Sequence, residues 1–111
     1  MNGFFPTSGA TLKKPLSLIP ACGECGLYRT CKSPKMPVYG KGQRNILITG
    51  ESPGATEDER GRPFVGKSGN LVERTFESCG IDFRRDCWIY NSIICRAMNE
   101  DGKNRPPTDN E

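Results

Sequence analysis

The sequence predicts an α/β domain built on a parallel sheet, and three observations carry that expectation. Residues 45–49, Asn-Ile-Leu-Ile-Thr, form a short, continuous apolar stretch that stops at Gly50, the pattern of a buried parallel strand. Residues 68–79 place Leu71, Val72, Phe76 and Cys79 along one face at helical spacing. Residues 87–95, Cys-Trp-Ile-Tyr-Asn-Ser-Ile-Ile-Cys, are dense in β-branched and aromatic residues and read as a second strand. Strand, helix and strand in that order make a βαβ unit, so the sheet is expected to be parallel and the crossover right-handed.

Each connection follows from its own chemistry. Gly50-Glu-Ser-Pro-Gly54 is a loop punctuated by glycine and proline, followed by the acidic run Glu57-Asp58-Glu59. Gly61-Arg-Pro-Phe-Val-Gly66 reads as a second irregular loop. Ser68 is the candidate N-cap of the helix, and Gly80 ends it where a left-handed cap belongs. Residues 1–20 hold three prolines and no stable period, and read as an N-terminal arm. Residues 21–44, rich in Gly, Pro and Lys, read as loop around a short cysteine-bearing turn. From Arg96 onward no apolar periodicity remains. Two strands and one helix are too few for a doubly wound domain. Residues 21–111 are therefore expected to be the N-terminal part of a longer domain.

Composition narrows the chemistry. The chain has 111 residues, 16 Lys+Arg against 13 Asp+Glu, six Cys and no His. At 34% hydrophobic and 26% charged it belongs with globular rather than disordered chains. The absence of His excludes a Ser–His or Cys–His nucleophile, Cys₂His₂ fingers and any His-ligated metal within this sequence. A net charge of +3, with the charges interspersed, is only a weak pointer to a polyanionic partner. No apolar run approaches the ~20 residues of a membrane span, and the first ten residues lack a basic start followed by an apolar core. The expected location is the cytoplasm. There, a Cys22-x-x-Cys25 pair with Cys95 at the end of an apolar run points to a metal or cluster, ahead of structural thiols or disulfides.

In a parallel α/β sheet the site lies beyond the C-terminal ends of the strands. The loop after the first strand and the residues around Asn91 fall there. Glu51 and Glu57 are carboxylates able to position or activate a water, whereas Asp58 and Glu59 read as solvated surface charge. Gly50, Pro53 and Gly54 let backbone N–H groups approach a ligand. The loop is neither a Walker P-loop nor a dinucleotide fingerprint. Phe64, in a loop between Pro63 and Val65, is either core packing or a stacking platform for a flat ring. Asn91 offers a paired donor and acceptor suited to a base edge, or else a structural hydrogen bond.

Together these motifs resemble one family. Gly-Glu-Ser-Pro-Gly-Ala-Thr-Glu-Asp from Gly50, with Gly-Arg-Pro-Phe-Val-Gly-Lys-Ser-Gly-Asn-Leu-Val from Gly61, is similar to the GExPGxxED and GxPFVGxxGxLL signature of the iron–sulfur (family 4) uracil-DNA glycosylases. Cys22-Gly-Glu-Cys25-Gly-Leu27 resembles that family's CxxCxL, and Val38-Tyr-Gly-Lys-Gly42 its VxGxG. Tyr90-Asn-Ser-Ile-Ile-Cys-Arg96 resembles TNxxKCR, with Ile94 in place of lysine, and Asn104-Arg-Pro-Pro107 with Glu111 resembles NRxPxxxE. Domains of this type also occur in relation to phage DNA polymerases.

The resemblance implies a three-layer αβα fold with a central parallel sheet, and excision of uracil from DNA by hydrolysis of the N-glycosidic bond. It implies that Glu51 and the backbone of Ser52, Pro53 and Gly54 cradle uracil and the attacking water. Glu57 would support the site, Phe64 would stack on the flipped base and Asn91 would bond its Watson–Crick edge. Cys22, Cys25 and Cys95 would be three of the four ligands of a [4Fe–4S] cluster. The family's His-containing second signature and fourth cysteine are not in this sequence and are expected beyond Glu111. Expected partners are uracil-containing DNA and replication proteins, for a monomer without a membrane. The alternative is a catalytically inactive glycosylase-like module that binds DNA or a replication protein.

Overall fold

The computed structural model describes residues 23–111. The expected arm over residues 1–20, and Cys22, lie outside the described residues. The elements run in the order β1 (Ile46–Gly50), α1 (Ala55–Arg60), α2 (Lys67–Ser78), α3 (Phe83–Asp86) and β2 (Cys87–Asn91), preceded by one 3-10 turn at Leu27–Arg29. β1 and β2 pair in parallel, with Ile46 opposite Cys87 and Gly50 opposite Asn91. The βαβ expectation and the parallel pairing thus hold, consistent with an incomplete α/β fold.

The other side of β2 is covered by chain from before β1. Tyr39 and Ile89 exchange backbone hydrogen bonds at 2.8 and 2.7 Å, and the N–H groups of Gly42, Gln43 and Arg44 donate to the carbonyls of Cys87, Arg85 and Asp86. These bonds satisfy an edge that would otherwise stand open.

One core lies between the sheet and the helices. Phe83, Cys87 and Ile89 are fully buried, with Ile46, Ile48, Val72 and Phe76 packed around them. A second, smaller cluster centres on Leu27, Cys95 and Ala97, with Cys25, Cys31 and Ile93 against it. It secures the cysteine-bearing loop to the chain that follows β2.

Several sequence expectations change in tertiary context. β2 ends at Asn91, so residues 92–95 are not strand. The reason lies in the loop beyond β1: the N–H groups of Ser92 and Ile93 donate to Gly50 and Glu51, which turns the chain across the end of the sheet. α2 begins at Lys67 with Gly66 as its N-cap, so Ser68 sits inside the helix. Leu71 is 59% exposed and Cys79 is exposed as well, leaving Val72 and Phe76 as the residues that face the core. The acidic run is helical, forming α1, because Glu57 caps it through the Gly54 N–H at 3.1 Å. The one-turn helix α3 starts at Asp82, whose carboxylate accepts from the Arg85 N–H at 3.1 Å. Leu47 is 39% exposed, so among the described residues β1 is covered on one face only.

Candidate base pocket and cysteine cluster

Parallel strands leave their last carbonyls and the loops behind them on one side, and there Gly50 and Asn91 stand opposite each other in register. A cavity of about 200 Å³ opens at that point. Glu51 and Ser52 enter it from the loop after β1, Glu57 from α1, Phe64 from the next loop, and Ser68, Gly69 and Val72 from α2. Asn91 closes it from the end of β2. A side chain at Gly50 would fill the gap, since a β-carbon there would overlap the Asn91 Oδ1 and lie 2.9 Å from the Phe64 Cζ. Glycine at this position leaves the ring and the amide on one open cavity.

Asn91 is 7% exposed and lines the cavity, and among the described residues no side-chain N or O atom is both fully buried and unbonded. An amide carries both donors and acceptors, so one that opens on a cavity can bond a ligand or solvent there. Phe64 both packs on the core and lines the cavity. Its ring edge meets the buried Phe83 at 6.0 Å between centroids, and the residue also lines the cavity.

Glu57 is engaged by backbone. Its carboxylate accepts from the N–H groups of Gly54 at 3.1 Å, Val65 at 2.9 Å and Gly66 at 2.6 Å, so it ties the loop after β1 to the loop bearing Phe64. That bond also commits the Gly54 N–H, and proline has none, so of Ser52, Pro53 and Gly54 only Ser52 has a loop N–H left over. Pro53 and Gly54 line a neighbouring hollow of about 300 Å³, shared with Glu51, Ser52, Asn104 and Arg105.

Asp58 corrects the reading of a solvated charge. It is 2% exposed and its carboxylate accepts from the N–H groups of Lys32 at 3.2 Å and Ser33 at 2.9 Å. The cysteine-bearing loop has no regular structure of its own to satisfy these donors, so the acid of α1 does so. Glu59 is exposed, as expected, and pairs with Lys32. Gly69 and Val72 are pocket residues that the sequence reading does not include, although the last glycine of the GxPFVGxxG pattern marks the first of them.

The cysteines fall in a separate place. Cys25 and Cys95 line one pocket of about 150 Å³ with Tyr28, Ile93 and Glu111. The Cys95 sulfur accepts from the Lys35 N–H at 3.2 Å. Cys31 donates its thiol to the carbonyls of Leu27 at 3.1 Å and Arg96 at 3.4 Å, and burial, reinforced by the neighbouring Cys95, pushes that thiol up to about 11. It behaves as a protonated structural donor. Among the described residues no three Cys, Asp or Glu side chains are grouped to hold a metal ion. Two soft sulfur donors on one pocket, one of them three residues after Cys22, nevertheless suit a thiolate-held group.

Beside that pocket, Arg105 donates to both Glu111 oxygens at 2.7 and 2.8 Å, and the Thr108 N–H adds a third bond at 2.8 Å. The guanidinium and then the amide hold the Glu111 carboxyl down to about 2. Arg96 is similarly fixed, donating to the Asn104 Oδ1 and the Gly102 carbonyl at 2.7 Å each. The Asn104-Arg-Pro-Pro segment therefore folds back against the end of the sheet. Among the described residues no helix is long and apolar enough to cross a membrane.

Comparison with known proteins places the sequence in a family. The profile of the uracil DNA glycosylase superfamily matches residues 37–111. The Type-4 uracil-DNA glycosylase of Pyrobaculum aerophilum is 39% identical over 94 residues, covering 85% of this chain and 47% of that protein. The Type-4 uracil-DNA glycosylase of Archaeoglobus fulgidus is 39% identical over 93 residues, 84% of this chain and 44% of its own length. That of Thermotoga maritima is 42% identical over 76 residues, 67% of this chain and 37% of its own. The chain thus spans about half the length, or less, of the curated relatives it matches.

Proposed function

Since this chain belongs to the uracil-DNA glycosylase superfamily, we propose that it carries the base pocket of an enzyme that excises uracil from DNA. The observation that carries the proposal is the convergence of the Phe64 ring and the Asn91 amide on one cavity kept open by Gly50. A base extruded from the duplex needs a surface on which to stack and a group that reads its edge. The Asn91 amide donates to the uracil O4 and accepts from N3–H, a pattern that cytosine reverses. Water attacks C1′ of the sugar as the C1′–N1 bond breaks with its electron pair going to N1, and uracil leaves as an anion. The proton released by the water passes to solvent, from which the uracil anion is protonated. Glu51, exposed at the pocket rim, orients the water, and the Ser52 N–H is the loop's donor to the developing charge. Glu57 acts through the loops it holds.

The test compares Asn91→Asp and Asn91→Ala in the protein carrying this chain, on oligonucleotides bearing uracil or cytosine. Asn91→Asp keeps an acceptor for N3–H but sets a second acceptor against O4. Loss of that discrimination, worth ~1–2 kcal/mol, is expected to slow uracil release about 5- to 30-fold. Unchanged release in both variants would remove Asn91 from the site.

Within the same proposal, Cys22, Cys25 and Cys95 hold a [4Fe–4S] cluster with a fourth ligand from elsewhere. When bound, it supplies a cross-link between the N-terminal loop and the chain after β2. Cys31 stays outside the ligand set, its thiol committed to two carbonyls. Anaerobic purification is expected to give a brown protein whose iron and sulfide fall sharply in Cys25→Ser and Cys95→Ser but persist in Cys31→Ser. Iron-free native protein with freely alkylated Cys25 and Cys95 would refute the assignment.

A further inference from the structure

The loop that carries Phe64 is held in a conformation its own sequence does not favour. Phe64 has φ 58°, in the left-handed region that residues with a β-carbon rarely adopt and that persists only where the surroundings over-determine it. Two charged side chains grip this loop, one on its donors and the other on its acceptors. Glu57 takes the N–H groups of Val65 and Gly66. Arg84 gives its Nη1 to the Pro63 carbonyl at 3.1 Å and its Nη2 to the Phe64 carbonyl at 2.8 Å.

Arg84 is itself fixed from other directions. Its guanidinium lies 5.3 Å from the centroid of the Phe83 ring, and its Nη2 is 3.5 Å from the Glu73 Oε1 on α2. Behind the loop, α2 passes so close that a β-carbon at Gly69 would overlap the Phe64 backbone. With both sides of the backbone held, the ring packs T-shaped against Phe83 and lines the cavity beside Gly50. Arg84 is absent from the cavity wall, so it reaches the pocket through Phe64.

We propose that Arg84 is a positioning residue that sets the angle of the Phe64 ring for stacking on the extruded base, an inference that rests on the base-pocket reading above. A planar guanidinium can span two successive carbonyls, whereas a lysine ammonium offers a single point charge. Arg84→Lys and Arg84→Met are therefore graded removals of one fork.

The test is a double-mutant cycle on release of uracil by the protein carrying this chain. Arg84→Met is expected to lower kcat/KM about tenfold in the native background and less than about twofold in Phe64→Ala, with Arg84→Lys in between. In protein labelled with 4-fluorophenylalanine, the Phe64 resonance is expected to shift and broaden in Arg84→Met while that of Phe76 stays in place, which also reports that the core is folded. Equal losses in the two backgrounds, or a Phe64 resonance that does not move, would overturn the role of Arg84. Loss of nothing in Phe64→Ala itself would instead overturn the base-pocket reading, so the two failures are told apart.

Discussion

Phe83→Ala is expected to destabilise the fold by about 3–5 kcal/mol, the range for removing a fully buried aromatic ring. Phe83 has no exposed surface and meets Phe76 at 5.5 Å and Phe64 at 6.0 Å between ring centroids. Its ring also lies under the Arg84 guanidinium. The cavity left behind cannot close easily, because β2 and α3 are directly consecutive and hold the backbone on both sides. For domains near this size each kcal/mol is worth about 4–8 °C, so a fall in Tm of about 12–40 °C is expected by calorimetry or circular dichroism. Phe83→Leu, which keeps most of the volume, should lose far less. A fall below about 5 °C for the alanine variant would show that this cluster is not the core.

Phe64→Ala is expected to lower excision of uracil about 5- to 150-fold with a much smaller loss of stability. An aromatic face under a base contributes ~1–3 kcal/mol, and each ~1.4 kcal/mol is a factor of ten in rate. Phe64 is half-buried and gives only one edge to the core, so its removal leaves a gap that solvent can enter. The alanine also sits in a left-handed conformation, as the phenylalanine does, so backbone strain changes little. Phe64→Leu should fall between, retaining apolar contact without a π face. The contrast with Phe83 is the informative outcome: one ring is read in kcat/KM and the other in Tm. Activity per folded molecule that holds steady in Phe64→Ala would make Phe64 a core residue alone.

Much of the candidate pocket was legible before any coordinates. Glu51, Ser52, Glu57, Phe64 and Asn91, chosen from loop chemistry and motif resemblance, all line one cavity. Pro53 and Gly54 were placed with them but line the adjoining hollow, because Glu57 draws the Gly54 N–H away to cap α1. Cys25 and Cys95, far apart in sequence, share a pocket wall.

Local order along the chain determined what periodicity can encode: the two strands, with the end of the first at Gly50, and the long helix between them. Family membership was equally legible, since motifs of a few residues in fixed order survive without knowledge of their contacts. What tertiary structure alone decided is which polar groups serve one another across 20 residues or more. Asp58 looked like surface charge until two loop amides from residues 32 and 33 closed on it. Arg84 belonged to an unremarked one-turn helix until its fork met the carbonyls of Pro63 and Phe64. Leu71 fitted the apolar stripe of α2 yet faces outward. Hydrophobic spacing is a property of one segment, whereas the partner of a buried charge is set by where another segment leaves a backbone donor or acceptor without water.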